Sequence, residues 1–205
     1  MLFRSLDLYE TDFDVKWLTW ASRLAGLTEE LFLDPADGAY FYTAHDQEAV
    51  LVRSKSVYDQ VIPSGNSMAA RVCLRLHRFT GETRYQERAG AILRRFQTKA
   101  LENPWGFAHF WTVQNLWLNS PVEITLVGDP GHEQMAALLE TAWRPFLPER
   151  RLVLKNPAAC QALEDLAPPV KAYAAQGETP VAYVCRDYTC QAPVHEPEEL
   201  AARLV

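Results

Sequence analysis

Apolar residues recur at helical spacing along the first half of the chain, and four such stretches predict four helices. The first ends near Leu33, just before an Asp-Pro pair, and the fourth covers His109 to Leu118. The turn at Gly81 between the second and third is so short that it predicts an antiparallel αα-hairpin. The apolar faces comprise Trp17, Leu18, Ala21, Leu24, Ala25, Leu31 and Phe32; Ala69, Val72, Cys73, Leu76 and Phe79; Tyr85, Ala89, Ile92, Leu93 and Phe96; and Phe110, Val113, Leu116 and Trp117.

After residue 120 the pattern changes to the alternation that is typical of strands. Val122–Val127 and Arg151–Leu154 are two extended runs with a helical stretch between them. Because the connections are short, this order predicts a right-handed βαβ unit with parallel strands. Val181–Cys185 predicts a third strand, and Pro197–Leu204 predicts a last short helix. We therefore expect a mainly α protein, with a helical part over residues 1–120 and a small α/β subdomain over residues 121–205.

The stretch Asp37–Ala70, between the first two predicted helices, is too long for an ordinary helix connection. Asp37-Gly38 is a turn signal followed by β-branched and aromatic residues, so the stretch predicts a short hairpin. Pro63-Ser64-Gly65-Asn66-Ser67 then ends the extended run and opens a helix. Because connections of this length inside a domain are usually functional, the stretch is the first place to look for a site.

Composition and charge exclude some classes of function. The net charge is −6, and the 20 Lys and Arg are scattered, which argues against nucleic acid as a partner. There is no apolar run long enough to cross a bilayer, and the N-terminus does not resemble a signal peptide. With four cysteines at irregular spacing, the default expectation is a cytoplasmic protein with reduced thiols.

Long motifs resemble the C-terminal part of the YyaL-type proteins, the bacterial relatives of spermatogenesis-associated protein 20. They are Asp37–Phe41, Arg53-Ser54-Lys55, Tyr58-Asp59, Ile62–Ser67, Tyr183–Cys185 and Cys190–Pro193, within a resemblance from about Leu8 to Leu204. The resemblance implies the last part of an (α/α)6 toroid, of the six-hairpin glycosidase and N-acylglucosamine 2-epimerase kind, with a small α/β tail. One departure is Gln60-Val61, where the family usually has Gly-Ala, which would narrow a pocket there.

The resemblance also implies a thioredoxin-like domain and early toroid helices that this sequence does not contain. The chain would then be a truncated or split product, and a complementing chain that carries those parts is an expected partner.

In a toroid of this kind the loops at one end line a central pocket, so the polar residues of the Asp37–Ala70 stretch are candidates for a site. Sugar chemistry needs an acid or a base, and His45 and Asp59 are the predicted catalytic residues. The predicted substrate-binding residues are Arg53, Lys55, Tyr58, Ser64 and Asn66. The same residues allow a structural interpretation, in which Asp59 and Asn66 brace the loop, Arg53 and Lys55 pair with acids at the surface, and Ser64 or Asn66 caps a helix.

Cys185 and Cys190 form a separate candidate. Four intervening residues can loop back, so the two could be a redox pair, but two thiols at a strand end are the favoured interpretation. The spacing is a poor match to a zinc site, and no metal or cofactor is predicted. His109 stands alone in the sequence and predicts a structural or exposed residue.

Two hypotheses of function follow. By resemblance, the chain is a fragment of a carbohydrate-active or sugar-isomerase-like enzyme that binds a sugar-like small molecule around residues 37–66. Proton transfer would then fall to His45 or a carboxylate, with Arg53 and Lys55 orienting the ligand. The alternative is a non-catalytic structural or interaction module that serves a thioredoxin-like redox partner domain. Convergence of these side chains on a deep pocket would favour the enzyme, and a long apolar surface would favour the module.

Overall fold

The helical stretches of the sequence form α-helices that bury apolar side chains, and about half of the described residues are helical. The computed structural model describes residues 2–47, 51–187 and 189–204, with side chains from Arg4 onward. Two compact units divide the chain. The helical unit holds residues up to Asp7 together with Lys16–Arg78 and Glu82–Leu118, and the α/β unit holds Leu8–Val15, Phe79–Gly81 and the residues from Asn119 onward.

The helices of the first half are α1 Leu2–Asp12, α2 Lys16–Phe32, α3 Gly65–Thr80, α4 Thr83–Glu102 and α5 Ala108–Leu118, with a 3₁₀ turn at Pro104–Phe107. The stripe predicted for α4 is buried in full, as Tyr85, Ala89, Ile92, Leu93 and Phe96. Gly81 has φ +74° between α3 and α4, a conformation that suits glycine at a helix C-terminus. The sequence missed α1, which is separated from α2 by Phe13 at φ +58°.

The predicted hairpin within Asp37–Ala70 is wrong for the residues that the structure describes there. Tyr40 makes one isolated bridge with Leu33, and the Tyr42 amide donates to the Ser54 carbonyl over 2.8 Å, but no named strand forms. The side-chain amide of Asn66 takes the place of a partner strand, because it accepts a hydrogen bond from the backbone N–H of Tyr40 and donates one to the Tyr40 carbonyl. The stretch is therefore tied to helix α3 through Asn66, and no ladder of backbone hydrogen bonds holds it among the described residues. Glu48 and the two residues after it lie outside the described residues.

The second half contains β1 Glu123–Val127, α6 Glu133–Trp143, β2 Arg151–Lys155, α7 Gln161–Leu166, β3 Val181–Arg186, β4 Thr189–Cys190 and α8 Pro197–Leu204, with a 3₁₀ turn at Pro168–Ala172. The sheet order is β2-β1-β3-β4, with β1 parallel to β2 and antiparallel to β3. This confirms the parallel strand pair, the third strand and the last helix. Ile124, Leu126, Leu138, Leu152 and Leu200 lie in the core between the sheet and α6 and α8.

None of the helices in the described ranges combines the length and the apolar character that crossing a bilayer requires.

Candidate functional site

Asn66 anchors the connection between α2 and α3 to the first turn of α3. Its side chain is 2% exposed, and its Oδ1 accepts from the Tyr40 amide over 2.8 Å. Its Nδ2 donates to the carbonyls of Tyr40, over 2.9 Å, and Ser56, over 2.8 Å. Both amide hydrogens of Asn66 are thus used, and two distant points of the connection are tied to one side chain.

Asp59 lies where two helices begin. Its Oδ1 accepts from the Ser64 amide over 2.8 Å and from the Ser67 hydroxyl over 2.7 Å, at the start of α3. Its Oδ2 accepts from the Phe110 amide over 2.8 Å, in the first turn of α5. A carboxylate is favourable at a helix N-terminus because it meets unpaired N–H groups and the positive end of the helix dipole. This one carboxylate therefore braces both helix starts.

Ser64 and Ser67 extend the contacts of Asp59 to a histidine. The Ser64 hydroxyl accepts from the Ser67 amide over 3.1 Å and donates to the Ser67 hydroxyl over 3.0 Å. His109 Nδ1 lies 3.0 Å from the Ser67 hydroxyl. Because the Ser67 proton goes to Asp59, we assign the hydrogen to His109 Nδ1, which leaves Nε2 as an acceptor. Nε2 is buried and has no hydrogen-bond partner among the described residues.

Burial also lowers the pKa of His109, although the nearby Asp59 charge works in the opposite direction. We refer to Asp59, Ser64, Ser67 and His109 as the Asp59 network. The sequence predicted only a lone structural or exposed residue at His109, because no spacing pattern connects it with residues some 40 positions earlier.

Lys55 is engaged in ion pairs. Its Nζ lies 2.6 Å from Asp34 Oδ2 and 2.6 Å from Asp37 Oδ1, and Arg95 Nε donates to Asp37 Oδ2 over 2.7 Å. Burial would raise the pKa of Asp37, but the hydrogen bonds from Lys55 and Arg95 outweigh burial and lower that pKa to about 2. The cation therefore holds two carboxylates of the turn after α2.

Arg53 lies close to Lys55 on the ring of Phe41. The Arg53 guanidinium is 4.0 Å from the ring centroid and Lys55 Nζ is 4.8 Å from it, so both cations contact one aromatic ring. Arg53 Nη2 also donates to the Thr43 carbonyl over 2.7 Å. Both side chains contact the same ring, but each is already bound to other protein atoms.

His45 and Tyr58 have other partners than Arg53 and Lys55. His45 is exposed, and its amide and Nδ1 lie 2.9 Å and 3.3 Å from the Leu31 carbonyl, at the C-terminal end of α2. The Tyr58 ring packs on Phe107 with 5.0 Å between centroids and is about half exposed. The two predicted catalytic residues thus have different partners, since His45 contacts Leu31 and Asp59 contacts the starts of α3 and α5.

A cleft of about 330 Å³ opens beside the connection, within the helical unit. Its lining residues are Thr28, Phe32, Tyr40, Phe41, Tyr42, Ser56, Gly65, Asn66 and Ala69. We call it the aromatic cleft, since four of these residues carry aromatic rings. Of the predicted site residues only Asn66 lines it, and Val61 is too exposed to narrow it. The sequence missed the contribution of Thr28 and Phe32, because both belong to α2 and come near the stretch only through folding.

In the α/β unit, Cys185 and Cys190 form a disulfide, and Cys73 and Cys160 are free. The expectation of reduced thiols at this strand end is therefore wrong. The physical reason is the hairpin of β3 and β4, which places the two residues opposite each other with 4.0 Å between their Cα atoms. β4 has only two residues, so the sequence did not predict it. No cluster of three or more metal-ligating side chains occurs in the described part of the chain.

The fold thus defines a protein with a helical unit and a small four-stranded α/β unit, and comparison with known proteins gives its relatives. Spermatogenesis-associated protein 20 of mouse is 29% identical over 196 residues, which cover 95% of this chain and 25% of that protein. The human protein of the same name shows the same identity and coverage. An uncharacterized Caenorhabditis elegans protein is 27% identical over 198 residues, covering 95% of this chain and 26% of its own length.

These matches confirm the predicted resemblance to spermatogenesis-associated protein 20, and this chain is similar to the C-terminal part of those relatives. The chain spans about a quarter of the length of the curated relatives it matches. No family model matches the chain.

Proposed function

We propose that the chain acts as a non-catalytic structural module: the last part of an (α/α)6 toroid, followed by its α/β tail. The observation that carries this proposal is how the predicted site residues are used. Asp59 and Asn66 brace helix starts, Lys55 holds two aspartates, and Arg53 bonds a backbone carbonyl. None of His45, Arg53, Lys55 and Asp59 lines the aromatic cleft. The connection that resembled a pocket rim therefore works as a brace of the helical unit.

An exposed apolar surface of the helical unit supports the same proposal. Val61 is 102% exposed, Trp105 is 95% exposed, and Ile62 and Leu101 are also well exposed. The Asp59 amide donates to the Gly106 carbonyl over 2.8 Å, which brings the segment before Val61 next to Trp105. We call Tyr58, Val61, Ile62, Leu101 and Trp105 the Trp105 surface. Apolar groups concentrated in this way usually mark an interaction site.

The occupant that fits the Trp105 surface is the family's own early toroid helices, as part of a longer protein or as a complementing chain. Toroid hairpins bury their apolar faces against neighbouring hairpins, and a helix with one apolar face needs a layer to cover it. The relatives extend well beyond the matched quarter, so they have sequence to supply such a layer.

A chimera tests this proposal. In the mouse relative, the matched 196 residues are replaced by this chain, and hydrogen exchange at Val61, Ile62 and Trp105 is compared with that of the isolated chain. Exchange at these amides should slow in the chimera, while exchange around Phe146, which is 91% exposed in the α/β unit, stays unchanged. Equal exchange in both proteins would refute docking at this surface.

A second measurement needs only the isolated chain. Replacing Val61 and Trp105 by Lys should lower binding of the hydrophobic dye bis-ANS, because both side chains are almost fully exposed. The free energy of unfolding should change little, for the same reason. Unchanged dye binding would contradict a common apolar surface.

The aromatic cleft favours a second candidate function, binding of a sugar-like small molecule, which the resemblance to sugar-active toroids also suggests. Its volume is in the range of small-ligand sites, and its rings offer flat apolar faces beside the hydroxyls of Thr28 and Ser56. Titration with glucose and with N-acetylglucosamine tests this. Tyr42→Ala, at an exposed ring of the cleft, should weaken binding by about tenfold, the upper range for one aromatic contact.

Trp105→Ala is the matched control, since it removes an exposed ring outside the cleft. An equal loss in both variants, or no saturable binding of either sugar, would refute the second candidate.

A further inference from the structure

We propose that the Cys185–Cys190 disulfide is a site of reversible thiol–disulfide exchange, in which an external dithiol attacks Cys190 and Cys185 is the leaving thiolate. This inference is independent of the proposed function, because it concerns the α/β unit alone. Disulfide exchange depends on which sulfur a thiolate can reach and on how well the other leaves. The structure distinguishes the two sulfurs on both counts.

Access differs sharply between the two residues. Cys185 lies on β3 and is 4% exposed. Cys190 lies on β4, the last strand of the sheet order, and is exposed. A thiolate that approaches from solvent therefore meets Cys190 first. This asymmetry predicts a single direction of attack.

Tyr173 is placed to stabilise the leaving group. Its hydroxyl lies 3.3 Å from Cys185 Sγ and 3.8 Å from Cys190 Sγ. Because bonded sulfurs carry no hydrogen, Tyr173 is the donor in the disulfide state. As the S–S bond breaks, charge develops on Cys185 Sγ, and the nearer O–H group can donate to that thiolate.

A buried lysine fixes the position of Tyr173. Lys155 Nζ donates to the Tyr173 carbonyl over 2.8 Å and to the Val170 carbonyl over 3.2 Å, and it pairs with Glu164 over 2.8 Å. Tyr173 is 9% exposed, so its hydroxyl contacts the two sulfurs from the buried side of the disulfide. Lys155 is thus a positioning residue for the exchange site.

The exchange balances with a dithiol as the reductant. Its first thiolate forms a bond to Cys190 Sγ, the Cys185–Cys190 bond breaks, and Cys185 takes the electron pair and then a proton. The second thiol of the dithiol loses its proton and attacks the mixed disulfide, which releases Cys190 as a thiol. The net result is two protein thiols and one oxidised dithiol.

The sheet retains contacts that do not depend on the disulfide. The Gln191 amide donates to the Val184 carbonyl over 3.0 Å, and Ala182 and Val194 exchange two backbone bonds of 2.7 Å and 3.0 Å. These bonds keep the segment after β4 in place when the disulfide opens. Reduction should therefore leave the α/β unit folded, and reoxidation should restore the same pair.

Glutathione is a probe that identifies the attacked sulfur. The folded protein, in a Cys160→Ser background, is treated with reduced glutathione, quenched with N-ethylmaleimide and digested for mass spectrometry. The background removes a partly exposed free thiol, while burial raises the pKa of the Cys73 thiol to about 12 and keeps it unreactive. We expect glutathione on Cys190 and N-ethylmaleimide on Cys185. Glutathione mainly on Cys185, or no exchange without denaturant, would overturn the proposal.

A matched pair of variants tests the tyrosine. Tyr173→Phe should slow reduction by dithiothreitol by about tenfold, since one hydrogen bond to a developing charge is lost. Tyr183→Phe is the control, because its ring lies 5.1 Å from that of Tyr173 but its hydroxyl donates to the Ala174 carbonyl over 2.7 Å. Equal rates in the two variants would refute the role of Tyr173. The site of the glutathione adduct is measured without either variant and so stays informative if one of them misfolds.

Discussion

Replacement of Asn66 is the sharpest test of how the long connection is held. Asn66→Ala removes three hydrogen bonds, two buried ones to the backbone of Tyr40 and a partly buried one to that of Ser56. At a net contribution of about 1 kcal/mol each, the loss is about 3 kcal/mol of the free energy of unfolding. It rises further if the buried amide of Tyr40 finds no new partner, because an unsatisfied buried group costs about 1–3 kcal/mol.

Asn66→Asp separates hydrogen bonding from packing, because the two side chains are nearly isosteric. The aspartate can still accept from the Tyr40 amide, but it cannot donate to the carbonyls of Tyr40 and Ser56. Its charge would face two carbonyl oxygens in a site that is 2% exposed. We therefore expect Asp to destabilise the helical unit at least as much as Ala does.

Urea denaturation followed by tryptophan fluorescence measures the loss, and hydrogen exchange at the Tyr40 amide reports the local opening. Gln60→Ala is the control, since it removes an exposed amide side chain from the same connection and should change the stability by less than about 0.5 kcal/mol. A stability of Asn66→Asp close to that of Gln60→Ala would refute the brace. So would an unchanged exchange rate at Tyr40 in Asn66→Ala.

Three further predictions concern charged and titratable groups. The lowered pKa of Asp37 means that its ion pairs stabilise the fold above about pH 4 and lose that effect as the pH falls towards about 2. The pKa shift of Asp37 corresponds to about 2.5 kcal/mol of the free energy of unfolding, and solvent screening reduces this to about 1 kcal/mol. Asp37→Asn should therefore cost about 1 kcal/mol at pH 7 and little at pH 2 in urea titrations. Lys155→Met removes the ion pair with Glu164 and two buried hydrogen bonds to the carbonyls of Val170 and Tyr173, and those two bonds alone should cost about 2 kcal/mol in the same assay. The lowered pKa of His109 means that the fold favours the neutral imidazole. Its contribution to the free energy of unfolding is therefore present above the ordinary histidine pKa of about 6.5 and is lost as the pH falls below that value. An NMR titration should place the pKa of His109 below the ordinary value.

A different result would contradict each of these three predictions. A loss for Asp37→Asn that is equal at both pH values would show that the lost stability is not electrostatic. Wild-type stability of Lys155→Met would mean that the contacts of Lys155 do not stabilise the α/β unit. A histidine pKa at or above the ordinary value would contradict the burial of His109, and His109→Gln should remove that resonance from the titration as a check of its assignment.

The helices and strands of this chain follow largely from local patterns. The stripe of α4, the parallel pair of β1 and β2, and helix α8 were all predictable, because period and turn chemistry act between residues only a few positions apart. The failures have two different origins. β4 has two residues and no periodicity to detect, and the predicted hairpin had the right residue types but lost its backbone partners to Asn66.

The chemistry of the candidate site depends on tertiary structure. The sequence by itself determined which residue types the long connection carries. Only the fold decided their partners, because the bonds that matter join residues far apart: Asn66 to Tyr40 across 26 positions and Asp59 to Phe110 across 51. Those bonds form where two helices begin beside the connection, and they turn residue types that suit catalysis into a brace. The same holds for Cys185 and Cys190, which became a disulfide because a two-residue strand placed them opposite each other.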